Sequence, residues 1–212
     1  MEGNPRDVLA AGAAALGVAV DATQLDQLIA LAALVREWNG KFNLTAITEP
    51  VAMVRKHLLD SLTVQPWVAG PFVTDVGTGA GFPGLPLAIV NPGLRFTLVD
   101  STGKKARFVE HAAQTLGLGH VTVACARAED FQPPQRAHTV VSRALASVGE
   151  FVRVAGHLAA RSGQLLAMKG KDPAAELADL PRGWRVAGVE RLKVPGLDDA
   201  RHLVILRPAG AA

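Results

Sequence analysis

The chain has 212 residues, 49% of them apolar but only 5% aromatic with no tyrosine, a net charge of +3 and a pI near 9.4. A chain of that length buries about 70% of its unfolded surface without any covalent staple, and its single cysteine, Cys125, excludes a disulfide framework and a cysteine-based metal site. The start Met1-Glu2-Gly3-Asn4-Pro5-Arg6-Asp7 lacks the basic stretch and apolar run of a secretion signal, and no segment reads as a membrane span, so a cytoplasmic protein is expected.

Residues 5–17 open on Pro5 and are rich in alanine, which predicts a short helix. Asp21 suits the N-cap of a second helix, with Leu25, Leu28, Ile29, Ala32 and Val35 at helical spacing, Trp38 near the end and Gly40 expected to stop it. After the loop 42–48, Glu49-Pro50 opens a third helix expected to reach Val64 and to end at Pro66. Residues 1–68 thus read as an N-terminal helical extension packed on the core, and residues 69–212 as an α/β domain.

From Val73 onward strand and helix patterns alternate, the signature of a parallel sheet with right-handed crossovers. Further strands are predicted at 95–100, 121–125, 139–142 and 164–168, with helices at 85–90, 104–116 and roughly 147–160. The segments 184–192 and 202–206, joined by a loop containing Pro195-Gly196, predict a terminal antiparallel hairpin on the sheet edge.

The chain is organised around Phe72-Val73-Thr74-Asp75-Val76-Gly77-Thr78-Gly79-Ala80-Gly81-Phe82-Pro83-Gly84, a buried strand running into a glycine turn that opens a helix at Pro83. Such a corner is the nucleotide site of a doubly wound sheet. Gly79 to Gly84 spell a literal GxGxxG, so a dinucleotide has to be weighed. Asp75 would repel a pyrophosphate, and Pro83 removes an N–H from the helix end that would hold it. A carboxylate followed by Gly77, Gly79 and Gly81 suits a cationic nucleoside instead, such as S-adenosylmethionine, and the stretch resembles motif I of the class I methyltransferases. The bland alternative is a glycine turn with no ligand.

Asp100, 23 residues beyond Gly77 at a strand end, can accept both ribose hydroxyls of a nucleoside, or can cap the following helix. Ala128-Glu129-Asp130 follows the third strand, where class I methyltransferases surround the adenine; alone it would read as a solvated acidic loop. Arg143 follows the fourth strand, as a ligand contact or as half of an ion pair. No Asn-Pro-Pro-aromatic or Asp-Pro-Pro-aromatic motif marks an exocyclic amine as acceptor, and no Pro-Cys pair marks Cys125 as a nucleophile. Guanine N7 needs neither device, because its lone pair is free and unprotonated, and catalysis reduces to alignment. Basic residues cluster at Arg55-Lys56-His57, at Lys104-Lys105 with Arg107, and at Lys169-Gly170-Lys171. Of these, Arg55, Lys56, Lys104, Lys105, Lys169 and Lys171 are candidate phosphate contacts, although any one cluster alone reads as a solvated face. His57 by itself reads as a packing or capping residue.

Taken together, the loop 42–48, the run Lys56 to Leu62, the turn Asp75 to Pro86, Leu98-Val99-Asp100-Ser101 with Lys104-Lys105, Arg127-Ala128-Glu129-Asp130 and Ser142-Arg143-Ala144-Leu145-Ala146 resemble the RsmG family, also called glucose-inhibited division protein B. The resemblance covers roughly residues 25 to 207 and is specific as a combination, whereas the glycine turn alone would indicate only a class I methyltransferase. It implies a Rossmann-like α/β methyltransferase that moves a methyl group from S-adenosylmethionine to N7 of a guanine in the 530 loop of 16S rRNA, leaving S-adenosylhomocysteine. It also implies cofactor contacts at Gly77, Phe82, Ala128, Glu129 and Arg143, with Arg143 the one candidate for a catalytic role. Asp75, Gly79, Gly81, Asp100 and Ser101 join this expected cofactor set from the strand-end reading. The expected partner is 16S rRNA or the small ribosomal subunit, the expected state a monomer, and no metal is expected. The competing readings are a class I methyltransferase acting on another RNA or a small molecule, an NAD(P)-binding oxidoreductase and a non-catalytic RNA-binding module.

Overall fold

A computed structural model describes residues 3–143 and 147–210. Helix α1 (Pro5–Ala15) starts where the Asn4 side chain accepts the Arg6 N–H. Helix α2 (Ala22–Phe42) begins on a reciprocal cap: Gln24 N–H donates to Asp21 at 2.8 Å, and Asp21 N–H donates to the Gln24 side chain at 3.0 Å. The helix passes through Gly40 and ends at Asn43, which takes the left-handed conformation at φ 50. The helix outlasts the stop expected at Gly40, because a single glycine costs a helix only about 1 kcal/mol.

The third helical segment is not uniform. Helix α3 (Pro50–Met53) widens into a π-helical stretch (Val54–Leu59) and tightens again as α4 (Asp60–Leu62), followed by a 3-10 turn at Gln65–Trp67. Widened turns of this kind are uncommon and concentrate at functional sites.

Among the described residues a seven-stranded sheet has the order β3-β2-β1-β4-β5-β7-β6. Strands β1 (Phe72–Val76), β2 (Arg95–Asp100), β3 (Val121–Cys125), β4 (Ala137–Ser142) and β5 (Ala159–Lys169) run parallel. The hairpin β6 (Trp184–Leu192) and β7 (Arg201–Pro208) closes one edge, with the later strand inserted antiparallel against β5. Helices α5 (Gly84–Val90), α6 (Gly103–Thr115) and α7 (Val148–Ala155) supply the crossovers.

The period of two along each strand splits the core into two layers. Val73, Phe96, Leu98, Val141, Leu166, Met168, Leu203 and Ile205 face a layer that includes α5, α6 and the N-terminal helices. Val76, Val140, Leu165, Ala167, Val204 and Leu206 face α7. Because Leu9, Leu28, Leu31, Leu58 and Leu59 belong to the first layer and are fully buried, the N-terminal helices cover one face of the sheet. Polar bonds fix the same junction: Thr139 Oγ1 donates to the Ala69 carbonyl at 2.8 Å, and the Gln164 amide donates to Trp67 O. No described helix is long and apolar enough to cross a membrane.

Candidate active site

The first cleft, of about 350 Å³, opens at the carboxyl ends of β1, β2 and β3. Five expected cofactor residues, Gly77, Asp100, Ser101, Ala128 and Glu129, line it together with Lys105 from the basic clusters. Gly77 has φ +69, a left-handed conformation that bends the chain away from β1 and leaves bare backbone at the cleft. Asp100 accepts Gly79 N–H at 2.9 Å through one oxygen and Thr102 N–H at 2.8 Å through the other. A carboxylate has about four acceptor positions, so two backbone bonds fix its orientation and leave capacity for the hydroxyls of a ribose.

The cleft's chemistry fits S-adenosylmethionine. Val76, Val99, Ala126, Ala128 and Val154 offer apolar wall for an adenine, and Asp100, Glu129 and Glu150 set three carboxylates against the cations Lys105 and Arg127. That balance favours a sulfonium and an ammonium and opposes a pyrophosphate. Glu150 and Val154 come from within helix α7 rather than from a strand end, and sequence reasoning missed both.

The other five expected contacts, Asp75, Gly79, Gly81, Phe82 and Arg143, do not line this cleft. Asp75 is fully buried beneath the turn, where it accepts the Thr78 hydroxyl at 2.6 Å and Gly84 N–H at 2.8 Å. Burial pushes its carboxyl up to about 6, against those hydrogen bonds and the charge of Arg143, while Asp100 adds to the rise. Asp75 therefore organises the turn through Oδ2, while its Oδ1 is buried with no hydrogen-bond partner among the described residues. A Cβ on Gly84 would lie 2.6 Å from the Asp75 carboxylate, so this glycine lets the helix start dock onto that oxygen. Pro83 stands one residue earlier than expected, as the N-cap of α5. Gly81 is buried, and a Cβ there would meet Leu85 at 2.3 Å, which makes it a packing residue. Phe82 is only 3% exposed: its ring stacks on His57 at 4.7 Å, with the Arg143 guanidinium 5.5 Å from its centroid. Arg143 lines a different cavity altogether.

That second cavity, about 370 Å³, lies between the π-helical stretch, the ends of β4 and β5 and the start of β7. At its base Asp60, whose side chain is 4% exposed, accepts Arg143 at 2.9 Å through one oxygen and Arg201 at 3.0 Å through the other. A carboxylate buried so deeply is tolerated because both oxygens are ion-paired and hydrogen-bonded. His57 contacts Thr45 Oγ1 at 2.8 Å and Arg143 at 3.5 Å. Burial, and after it the charge of Arg143, lowers the His57 imidazole to about 4, so the ring is neutral near pH 7. Thr45 Oγ1 also accepts Ile47 N–H at 3.0 Å, which fixes the 42–48 loop over this cavity. Sequence reasoning gave Asp60 and Arg201 no role, and nothing in their spacing joins them.

The basic clusters separate accordingly. Lys105 borders the first cleft, and Lys56 and Lys169 border the second. Lys169 pairs with Glu176 at 3.0 Å, Arg55 packs against Gly196, and Lys104 and Lys171 are exposed. Ala144, Leu145 and Ala146 of the rim motif lie outside the described residues. The cavities are neighbours, since Ser142 Oγ donates to the Val76 carbonyl at 2.8 Å, joining the residue before Gly77 to the residue before Arg143.

The strand order and the carboxylate-lined cleft at the glycine turn define a class I S-adenosylmethionine-dependent methyltransferase. Solved structures agree on the fold. TrmN from Thermus thermophilus is similar with a TM-score of 0.59 at 19% identity, over 87% of this chain and 53% of that one. A SAM-dependent methyltransferase from Aquifex aeolicus gives 0.56 at 18% identity, over 73% and 92%. Residues 24–204 match the GidB family, described as rRNA small subunit methyltransferase G. The ribosomal RNA small subunit methyltransferase G of Stenotrophomonas maltophilia strain K279a is 50% identical over 193 residues, 91% of this chain and 90% of that protein. The chain belongs to the rRNA small subunit methyltransferase G family.

Proposed function

We propose that the protein methylates N7 of a guanine in the 530 loop of 16S rRNA, as RNA or within the small subunit, working as a cytoplasmic monomer. Residues 1–68 act as a helical extension packed on the methyltransferase domain, residues 69–212. The observation that carries the reading is the convergence of Gly77, Asp100, Ser101, Ala128 and Glu129 on one cleft beside a second, cation-rich cavity.

When bound, the cofactor supplies a methyl on a sulfonium, whose sulfur keeps the electron pair of the breaking bond while N7 makes the new one. N7 carries no proton, so the chain has to supply alignment and no general base. Asp100, with its orientation fixed by Gly79 and Thr102, holds the ribose end, while Phe82 joins the cofactor turn to His57 and Arg143 of the second cavity. His57, neutral near pH 7, adds no charge beside that guanidinium. Lys56, Lys104 and Lys171, which are exposed, and partly covered Arg55, Lys105 and Lys169 would meet the phosphate backbone.

The test is transfer of labelled methyl from S-adenosylmethionine to unmethylated small-subunit RNA and particles, followed by nucleoside digestion. Label in 7-methylguanosine at one loop position is expected. Label in another nucleoside, or none in either substrate with cofactor binding intact, contradicts the assignment.

A further inference from the structure

The second cavity has its own recognition chemistry. Its volume of about 370 Å³ suits a nucleobase with its sugar. Ile47, Met168 and Leu192 give it apolar wall, and among its lining residues two carboxylates face four full cations, Lys56, Arg143, Lys169 and Arg201.

The two carboxylates differ in a way that assigns roles. Both Asp60 oxygens are taken by arginines and the side chain is 4% exposed, so Asp60 is a fixed anchor. The Asp199 side chain is 58% exposed and forms a loose ion pair with Arg201 Nη2 at 3.7 Å, longer than a hydrogen bond. Asp199 thus presents two acceptor oxygens to the cavity mouth. Next to it Arg201 donates through Nε to Asp60 and through Nη1 to the Ala200 carbonyl, which leaves donors of its planar fork for a ligand.

A donor fork beside an exposed carboxylate that no hydrogen bond ties down is complementary to guanine among the nucleobases. Guanine presents the O6 acceptor beside the N1–H and N2–H donors, whereas adenine reverses the first two. Resting on the RNA methylation reading above, we infer that this cavity receives the acceptor guanine, with Arg201 donating to O6 and Asp199 accepting N1–H and N2–H. Holding the base by O6, N1 and N2 leaves N7 uncovered. The Ser142–Val76 hydrogen bond places the cavity beside the cofactor cleft toward which N7 must turn. Asp199 is then a specificity residue of the reaction.

The test compares small-subunit substrates carrying either guanosine or inosine at the acceptor position. Inosine lacks the 2-amino group but keeps N7. Wild-type protein is expected to lose roughly tenfold to a hundredfold in kcat/KM on inosine, the scale of one base-edge contact. Asp199→Ala is expected to transfer methyl to both substrates at one common, lowered rate, with its affinity for S-adenosylhomocysteine unchanged. A wild-type enzyme indifferent to the exchange, or a variant that keeps the wild-type preference, overturns the inference. Wild-type protein that binds the cofactor and methylates neither substrate overturns the RNA reading itself, which separates the two failures.

Discussion

The two cavities are built in opposite ways. The first cleft is assembled from strand ends: Asp100 is the last residue of β2, Gly77, Ser101, Ala128 and Glu129 come shortly after parallel strands, and backbone N–H groups orient its principal carboxylate. The second is assembled from side chains far apart in the chain, with Asp60 bonded to Arg143 across 83 residues and to Arg201 across 141. A site made by topology is written locally, because each strand end is followed by its own short motif. A site made by tertiary ion pairs has no local signature and appears only when helix and strands are docked.

This difference orders what can be broken. The largest effect belongs to Asp60. Asp60→Ala leaves two guanidiniums without their buried partner and is expected to cost about 3–5 kcal/mol of stability. Urea denaturation measures it, and a loss below about 1 kcal/mol would show that the arginines find other partners. Next comes Asp100→Ala, which removes the oriented acceptor in the first cleft. A cofactor Kd weakened roughly a hundredfold is expected, the scale of charge-assisted hydrogen bonds, with RNA affinity by filter binding unchanged.

The two buried titrating groups give a smaller and more informative effect. Asp75 under the turn has a folded value of about 6, above its ordinary 3.8, so its contribution is fully present below 3.8 and is lost as pH rises through 6. His57 by the second cavity has a folded value of about 4, below its ordinary 6.5, so its contribution is present above 6.5 and is lost as pH falls through 4. Between pH 4 and 6 the two slopes oppose each other. Asp75→Asn is expected to leave stability rising with pH by up to about 1.4 kcal/mol per unit, and His57→Phe to leave it falling by a similar amount. Denaturation midpoints at pH 4, 5 and 6 measure both slopes, and equal slopes in the two variants would contradict these shifts. The smallest effect is electrostatic. Lys104→Ala should lower the slope of log affinity for RNA against log salt by about one, if this exposed cation touches a phosphate.

Much of the fold was legible in the sequence. The period of two in 95–100 and 121–125, the Asp21 cap and the terminal hairpin follow from local pattern and appear in the structure within a few residues. The π-helical widening at Val54–Leu59 was not legible in the local pattern, and it carries His57 into the second cavity just ahead of Asp60. Asp75, Gly81 and Phe82 sit in the motif expected to meet the cofactor, and the structure shows that they also hold the turn together and pack it against the helices, which the motif alone does not reveal. A motif states which residues are needed and leaves open whether each serves the ligand or the loop.

The division of labour between the cavities is tested most directly by calorimetric titration of S-adenosylhomocysteine into Asp100→Ala and Arg201→Ala. A roughly hundredfold weaker Kd in the first variant and wild-type affinity in the second are expected. Wild-type affinity in Asp100→Ala together with lost binding in Arg201→Ala would place the cofactor in the second cavity and contradict the account.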